Sequence, residues 1–378
     1  MRRPDGDLLD QALVLRFDSP ASATGEDLVE FHCHGGRAVV DAVLDALSAV
    51  PGLRQANPGE FTRRAFENGR IDLTEAEGLA DLLEAETESQ RKSALAMAEG
   101  TLRRQVESWR ERVVTLSAIA EAAIDYVGDE YETAADEQRI AADVRTLAAE
   151  FDGWLAQPRA EALRQGVRVV FAGPPNAGKS SLLNALTQED RAIVTEIAGT
   201  TRDIIEVPLA IDGVPFLMVD TAGLRDSQDM VEQIGVRLAR KQLDAADILL
   251  WLDAQDRAPP HPALVAIHAQ SDRSNRGRAP EGSLAVSALT GSGLDELRQR
   301  LLAIAREILP VEGKVALNRR QADAIKEAAD ALRSAPADEL VFTAESLRRA
   351  RLALDRVTGR VGIEDVLDAL FGRFCLGK

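Results

Sequence analysis

The sequence is short of the residues that mark several large classes of protein. Two cysteines among 378 residues, Cys33 and Cys375, are too few for a disulfide framework and fit a reducing compartment. No apolar run approaches the roughly 18 residues of a membrane-spanning helix, and the first residues lead into acidic sequence, unlike a secretory signal. These absences predict a cytoplasmic protein that does not insert into a membrane.

Basic residues are also outnumbered, since 45 Lys and Arg stand against 62 Asp and Glu, for a formal net charge of −17. A surface that coats nucleic acid neutralises phosphates with clustered Lys and Arg. This balance excludes a broadly basic nucleic-acid surface but allows a local patch or an RNA-binding partner. The hydrophobic share of 45% is ordinary for a globular protein and, at this length, predicts two or three domains.

The spacing of apolar residues changes along the chain and predicts three parts. Residues 1–71 combine short strand patterns with one periodic stretch and predict a small α+β module. Residues 72–165 and 312–378 carry apolar residues every three or four positions, which predicts two halves of a helical domain. Residues 166–311 alternate strand and helix patterns. The predicted fold class is multidomain α+β and α/β, with a mixed sheet and helices on both its faces inserted in the helical domain.

Three local patterns refine this organisation. Thr74 and Glu77 have the spacing of a capping box and predict the start of a helix. A single helical face is predicted to carry Leu95, Ala98, Leu102, Val106, Trp109, Val113 and Leu116. Asp212 and Gly213, between two apolar runs, predict a tight hairpin.

The strongest chemical pattern lies at residues 173–180, which read Gly-Pro-Pro-Asn-Ala-Gly-Lys-Ser between a predicted strand and a predicted helix. In such a P-loop, glycines let backbone amides surround a β-phosphate at the amino end of a helix. Lys179 is expected to bridge the β- and γ-phosphates, and the Ser180 hydroxyl is expected to bind Mg²⁺. The pattern predicts a nucleoside triphosphate site.

Two later motifs narrow the class of nucleotide-binding protein. Asp220 ends a predicted strand in the sequence Asp-Thr-Ala-Gly, where it can hold Mg²⁺ through water while the Gly223 amide senses the γ-phosphate. Residues 199–203 (Gly-Thr-Thr-Arg-Asp) lie where a loop can bring the Thr201 hydroxyl to the metal. Together these motifs favour a GTPase with switch loops over a generic ATPase.

The motif that reads guanine departs from the usual Asn-Lys-x-Asp, since residues 269–272 read Ala-Gln-Ser-Asp. Asp272 keeps the carboxylate that accepts guanine N1–H and N2–H, and residues 287–289 (Ser-Ala-Leu) match the last base-contacting turn. Loss of the Asn contact and of the Lys packing is expected to cost about 1–3 kcal/mol and to leave guanine selectivity in place. The alternative is that Asp272 is a solvated loop residue.

The sequence lacks the usual residue that positions the attacking water, so another residue must do this. Leu224 stands where Ras-like enzymes carry the water-positioning Gln. Glu232, twelve positions after Asp220, is a candidate to orient this water directly or through a second water. The alternative is that Glu232 is a surface charge on a helix.

These motifs resemble those of the MnmE (TrmE) family of bacterial tRNA modification GTPases, over essentially the whole chain. The similar segments are residues 24–27, 34–36, 58–62, 175–180, 199–203, 220–225 and 374–378. The last of these, Phe-Cys-Leu-Gly-Lys, is close to the family's Cys-Ile-Gly-Lys ending and is highly specific. Family members begin with a further strand-rich part, so the resemblance implies that residues 1–71 are a truncated folate-binding-type α+β module.

For residues 166–311 the resemblance implies a Ras-like G domain that binds GTP, Mg²⁺ and K⁺. The nucleotide-binding residues are expected to be Asn176, Ala177, Gly178, Lys179, Ser180, Ser181, Thr195, Thr200, Thr201, Asp220, Thr221, Ala222, Gly223, Asp272, Ser287 and Ala288. The expected metal ligands are Ser180 and Thr201 for Mg²⁺ and Asn176, Thr195, Ile197 and Thr200 for K⁺. The K⁺ ion is expected beside the phosphates when two G domains meet, in a role worth ~10³–10⁵ in rate.

The resemblance also assigns roles to residues outside the phosphate loop. Glu232 is expected to orient the water, with Arg225 and Cys375 as further catalytic residues. Glu30 and Arg70 of the first module, together with the terminal Lys378, match the positions that contact a formyl- or methylene-tetrahydrofolate, the one-carbon donor. Arg70 replaces the usual Lys, which keeps the charge and alters its geometry.

The function implied is potassium-activated GTP hydrolysis in a homodimer. With an FAD-containing partner, MnmG, it takes part in carboxymethylaminomethyl or aminomethyl modification of the tRNA wobble uridine, and tRNA is reached through that complex. Two alternatives stay open: a regulatory or ribosome-assembly switch GTPase, and a nucleotide-binding scaffold without catalysis. The Cys-Leu-Gly-Lys ending favours modification, since a pure switch does not need it, whereas the altered guanine motif suggests the scaffold.

Overall fold

The computed structural model describes residues 1–3, 6–125, 130–158, 160–189, 191–192, 205–220, 242–311, 313–336, 339–361, 364–372 and 374. The chain forms two compact units. The first unit contains residues 1–83, 97–143 and 331–378, and the second contains residues 84–96 and 144–330. The domain boundaries drawn from the sequence stay a prediction. Within the described part of the chain, each helix is too short or too polar to cross a membrane.

Helices dominate the first and last parts of the chain, and strands dominate the part between them. The elements up to the strand before the P-loop are β1 (Leu13–Phe17), β2 (Leu28–His32), α1 (Arg37–Ser48), α2 (Glu60–Glu67), α3 (Leu73–Leu83), α4 (Glu88–Ala98), α5 (Thr101–Asp125), α6 (Glu130–Leu155), α7 (Ala160–Gln165) and β3 (Val167–Ala172). They are followed by α8 (Lys179–Glu189), β4 (Arg191–Ala192), β5 (Ile205–Ile211), β6 (Val214–Asp220), β7 (Ile248–Trp251), β8 (Leu264–Ala269), β9 (Leu284–Val286), α9 (Leu294–Ile308), α10 (Arg319–Arg333), α11 (Leu340–Thr358) and α12 (Glu364–Phe371).

The amino-terminal part of the first unit contains a small antiparallel sheet. β1 pairs with β2 from Leu13 opposite His32 to Phe17 opposite Leu28. The two strands and the helix α1 that follows them agree with the short strand patterns and the one periodic stretch that predict an α+β module in residues 1–71. The folate-binding character of this module stays a prediction.

The cap of α3 lies two residues before the predicted one. The Glu75 amide donates to Asp72 Oδ1 at 2.9 Å, and the Asp72 amide donates back to Glu75 Oε2 at 2.7 Å. This reciprocal pair is a capping box with Asp as its first residue. The capping box predicted at Thr74 and Glu77 is therefore wrong, because Thr74 lies inside the helix and its hydroxyl donates to Asp72 Oδ1 at 2.7 Å.

The predicted single face from Leu95 to Leu116 is also wrong, because two helices share it. α4 ends at Ala98 and α5 begins at Thr101, and Gly100 between them has φ 75°, a left-handed conformation that a helix does not continue through. Leu95 lies on α4 and is exposed. The remaining members, from Leu102 onward, are buried along one face of α5 as predicted.

In the first unit, α5 packs against α11. The Arg110 guanidinium lies 2.7 Å from the Asp355 carboxylate, and Arg360 pairs with Glu107 at 2.5 Å. Asp355 is buried, so the pairing with Arg110 compensates the loss of water around its charge. The helical domain predicted from the apolar spacing is confirmed.

In its described residues, the second unit contains a seven-stranded sheet in the order β4-β5-β6-β3-β7-β8-β9. β3, β6, β7, β8 and β9 run parallel, whereas β5 is antiparallel to β4 and β6. The predicted mixed sheet is confirmed, and β4 is a strand that the sequence pattern did not indicate. The predicted hairpin is confirmed too, since Asp212 and Gly213 join β5 to β6 with φ 47° and 77°, the left-handed pair that Asp-Gly turns adopt.

β3 is buried on both faces, because successive side chains of a strand point to opposite sides. Val169 and Phe171 pack in a core that α8 and α9 complete. Val170 packs on the other face with Leu243 and Ala246. This double burial explains the apolar run at residues 169–172 that precedes the P-loop.

The parallel strands place four loop or strand ends at one edge of this sheet. The P-loop follows β3, and β6 ends at Asp220. Residues 270–272 follow β8, and Ser287 follows β9. In open sheets with parallel strands, ligands bind outside the carboxyl ends of the strands. A ligand site is therefore expected at this edge.

Candidate nucleotide site

The P-loop is a tight turn whose shape depends on its glycines. Gly173 has φ 141° and Gly178 has φ 99°, values that only glycine adopts without strain. A methyl group on Gly173 would lie 3.2 Å from the carbonyl carbon of Leu252. The loop closes where the Leu182 amide donates to the Gly178 carbonyl at 2.9 Å and α8 begins.

The Lys179 ammonium lies inside this turn. It donates to the carbonyls of Gly173 at 3.0 Å and Pro174 at 2.9 Å, and only 7% of the residue is exposed. Both carbonyls belong to the loop that the glycines shape. Burial strengthens the field of this cation, because less water screens it.

Ser180 and Asp220 bring the start of α8 to the end of β6. The Ser180 hydroxyl donates to Asp220 Oδ2 at 2.5 Å. Asp220 is 1% exposed and lies beside Phe171 in the register of β6 and β3. A hydroxyl and a carboxylate in contact are oxygen donors of the kind that Mg²⁺ prefers.

Asp272 and Ser287 meet at the ends of β8 and β9. The buried Ser287 hydroxyl donates to Asp272 Oδ1 at 2.6 Å, and the Ser271 amide donates to the Val286 carbonyl at 3.2 Å. The hydrogen bond from Ser287 holds the pKa of Asp272 below its ordinary value. Asp272 is therefore an ionised acceptor at neutral pH, as a guanine contact requires.

Gln270 is a residue of this site that the sequence interpretation missed. Its amide Nε2 donates to the Asn176 carbonyl at 3.3 Å. A methyl group on Gly178 would lie 3.3 Å from the same Nε2, so Gln270 covers the P-loop glycine. Gln270 therefore packs at the place of the motif's Lys, and the expected cost in nucleotide affinity stays a prediction.

The other described residues that were predicted to bind the nucleotide lie on the same loops and helix. Asn176 has φ 60° and is exposed, Ala177 is buried, and Ser181 is exposed on the first turn of α8. Ala288 lies half-buried after Ser287. The predicted residues that lie outside the described part of the chain are Thr195, Ile197, Thr200, Thr201, Thr221, Ala222, Gly223, Arg225, Glu232, Cys375 and Lys378.

Two of the predicted folate contacts, Glu30 and Arg70, belong to the described part of the first unit. Glu30 is on β2, where its Oε2 lies 3.0 Å from His32 Nε2. Arg70 follows α2, and its side chain covers Gly25, where an added methyl group would meet it at 3.3 Å. Their role in binding a folate stays a prediction.

Comparisons with known proteins cover the whole chain. The family described as the MnmE helical domain matches residues 73–375, and the family described as the GTP-binding protein TrmE N-terminus matches residues 1–70. The tRNA modification GTPase MnmE of Sphingopyxis alaskensis is 53% identical over 387 residues, covering 99% of this chain and 92% of that protein. The protein of the same name from Erythrobacter litoralis is 53% identical over 380 residues, covering 100% of this chain and 89% of that protein.

Among solved structures, Era in complex with MgGDPNP and a 16S ribosomal RNA segment aligns at 20% identity with a TM-score of 0.30. That alignment covers 55% of this chain and 98% of that one. A TM-score of this size carries no conclusion, so the family assignment depends on the sequence comparisons.

Proposed function

The chain belongs to the MnmE family of tRNA modification GTPases, and on this premise we propose which of its residues bind and hydrolyse GTP. The observation that carries the proposal is the convergence of two sets of groups on one edge of the sheet. The buried Lys179 ammonium and the Ser180 hydroxyl lie at the P-loop, and Asp272 lies at the end of the neighbouring strands. The first set suits phosphates, and the second suits a base.

At the phosphate end, the P-loop amides and Lys179 bind the β- and γ-phosphates. The amino end of α8 presents its backbone N–H groups to the anion. Lys179 is held in the turn by the Gly173 and Pro174 carbonyls, so its ammonium is positioned before the nucleotide arrives. Preorganisation of this kind reduces the entropy lost on binding.

Ser180 and Asp220 fit a magnesium site. Their oxygens are already in contact, and the buried Asp220 carboxylate supplies the negative charge that a divalent cation requires. When bound, Mg²⁺ neutralises charge on the β- and γ-phosphates. The role of these two residues is to hold the ion where the phosphates meet α8.

At the base end, Asp272 reads guanine. A carboxylate accepts the N1–H and N2–H donors of guanine, whereas adenine has an acceptor at N1. Ser287 donates to one carboxylate oxygen and lowers the pKa of Asp272, which is ionised at neutral pH. Ala288 continues the turn from which a backbone amide faces the base.

For hydrolysis, we propose the roles that the family resemblance assigns. Glu232 orients the attacking water, Thr201 contacts the metal, and the Gly223 amide contacts the γ-phosphate. Cys375 takes part in the modification, and Arg225 is a further catalytic residue. Family membership supports these roles, since all five residues lie outside the described part of the chain.

Potassium activation belongs to the same proposal. Asn176 is exposed in the P-loop with a left-handed backbone, and its amide oxygen is a suitable ligand for a monovalent cation. Thr195, Ile197 and Thr200 complete the site when the G domains of two copies face each other. When bound, K⁺ supplies positive charge where other GTPases place an arginine.

The first module and its partners complete the proposal. Glu30, Arg70 and Lys378 contact a tetrahydrofolate derivative, which donates the one-carbon unit. The protein acts as a cytoplasmic homodimer that, with an MnmG-type FAD protein, modifies the wobble uridine of tRNA, which is reached through that complex. Family membership supports these assignments.

Calorimetry with GTP and ATP tests the nucleotide assignment. We expect the full-length protein, with Mg²⁺ present, to bind GTP at least ~100-fold more tightly than ATP, because two hydrogen bonds to a carboxylate distinguish the bases. Comparable binding of both nucleotides would overturn the base assignment.

Turnover in KCl and in NaCl tests the hydrolytic assignment. We expect faster phosphate release in KCl, and we expect Glu232→Ala to slow release by ~10²-fold or more while GTP binding is kept. The exposed Glu296 on α9 provides the control, since Glu296→Ala leaves turnover unchanged. Equal and negligible rates in both salts would instead identify a nucleotide-binding scaffold.

A further inference from the structure

Two strained backbone positions of the second unit meet each other. Among the described residues, three that are not glycine have positive φ: Asn176, Asp212 and Gln270. Asp212 belongs to the β5–β6 hairpin, where the turn requires this conformation. The other two are joined by the hydrogen bond from Gln270 Nε2 to the Asn176 carbonyl. Strained positions persist where surrounding contacts hold them, and they concentrate at functional sites.

The Gln270 side chain lies against the P-loop at Gly178. A methyl group on Gly178 would stand 3.3 Å from its Nε2 and 3.6 Å from its Cγ. The same methyl group would lie 3.8 Å from the Ala269 Cβ. The amide therefore both donates to the loop and packs against it, and it does so without a charge.

The other contacts of this segment lead toward the base. The Gln270 carbonyl accepts the Arg273 amide at 3.0 Å, which closes a turn around Asp272. The Ser271 amide donates to Val286 at 3.2 Å, and Asp272 accepts Ser287 at 2.6 Å. The Asp272 carboxylate is thus held by Ser287, directly after β9. The backbone of the same segment is held to the P-loop by Gln270, two residues before Asp272.

We infer that Gln270 is a positioning residue for guanine selectivity, because it sets the distance between the Asp272 carboxylate and the loop that holds the phosphates. A nucleotide spans these two points, so a carboxylate that moves relative to the P-loop loses its alignment with the N1–H and N2–H donors. The inference rests on the proposed reading of guanine by Asp272. It assigns to this chain a neutral amide in the position where the usual motif has a charged Lys.

The ratio of affinities for GTP and ITP tests this role, because hypoxanthine lacks the 2-amino group that Asp272 accepts. Affinities of the full-length protein with Mg²⁺ are measured by calorimetry. We expect Gln270→Ala to lower the preference for GTP over ITP by roughly 3- to 10-fold, the range for one hydrogen bond. Gln270→Lys is expected to keep the preference of the unmodified protein, because an ammonium can donate to the same carbonyl.

Two further variants make the result decisive. Gln270→Met keeps the volume and removes the donor, so it replaces the Ala variant if that variant does not fold. Gln299→Ala, at an exposed glutamine of α9, should leave the ratio unchanged. A ratio that is unchanged in the Ala and Met variants, even with both affinities reduced, would overturn the inference alone. Absence of a preference in the unmodified protein would overturn the reading of guanine by Asp272 and the inference with it.

Discussion

The Ser180 hydroxyl donates to Asp220 Oδ2 at 2.5 Å, which joins the first turn of α8 to the last residue of β6. β3 and β6 run parallel, and Phe171 lies opposite Asp220. The strand that leads into the P-loop and the strand that ends in Asp220 therefore finish side by side. This pairing places the carboxylate that we propose to hold Mg²⁺ next to the turn that we propose to bind phosphates, although the two lie 40 residues apart in sequence.

Substitution of Ser180 tests this relationship. Ser180→Ala removes a hydroxyl that contacts a buried carboxylate, so we expect the Mg²⁺ concentration needed for half-maximal GTP turnover to rise at least ~10-fold, equivalent to ~1.4 kcal/mol. Titration of turnover with MgCl₂ measures this change. Ser48→Ala, at an exposed serine in the first unit, serves as the control. An unchanged Mg²⁺ requirement would contradict the metal assignment.

Lys179 should be required for binding as well as for hydrolysis. Its ammonium is buried and positioned by two carbonyls, and hydrogen bonds to charged groups are worth ~1.5–3 kcal/mol each. We expect Lys179→Ala to weaken GTP binding at least ~100-fold in calorimetry. Lys326→Ala on α10, where the side chain is exposed, should bind GTP normally. If both variants bound GTP equally well, the P-loop would not be the phosphate site.

Asp272 should determine which base is accepted. Asp272→Asn replaces an acceptor by a donor, which suits the C2 carbonyl of xanthine and opposes the 2-amino group of guanine. We expect affinity for GTP to fall ~10- to 100-fold and affinity for XTP to rise. Competition against a fluorescent nucleotide measures both. A variant that keeps its preference for GTP would mean that Asp272 is a solvated loop residue.

Asp72 should make the stability of the first unit depend on pH. Burial raises the pKa of Asp72 to about 6, despite hydrogen bonds from the Glu75 amide and the Thr74 hydroxyl, and its Oδ2 is buried without a hydrogen-bond partner. The folded state therefore holds this proton at a higher pH than the unfolded state does. The contribution of Asp72 to the free energy of unfolding is greatest below pH 4 and is lost, by on the order of 3 kcal/mol in total, as the pH rises through about 6.

Urea unfolding at pH 4.5 and at pH 7 measures this effect. Asp72→Asn keeps a good capping residue and removes the titration, so the difference in the free energy of unfolding between the two pH values should shift in favour of pH 7. Asp368→Asn, at an exposed carboxylate on α12, should leave the difference unchanged. An identical pH profile for the Asp72 variant and the unmodified protein would show that Asp72 ionises normally.

Sequence reasoning succeeded where the chemistry requires particular residues at particular spacings. The P-loop, the Asp-Gly hairpin and the strand before Asp220 each depend on backbone shapes or donors that few residues provide. It failed at the start of α3, because Thr74 and Asp72 both suit a helix cap and only the packed structure distinguishes them. It failed again at Gly100, since apolar spacing continues across a turn that separates two helices.

By itself, the sequence determined the family, the class of nucleotide and the mixed sheet. These follow from motifs and periodicity formed by residues that are close together in the sequence. Only the tertiary structure decided that Gln270 rests on Gly178 and that Ser287 holds Asp272. These contacts join residues from different strand ends. Local pattern cannot specify them, since the distance between such ends is set by the register and twist of the assembled sheet.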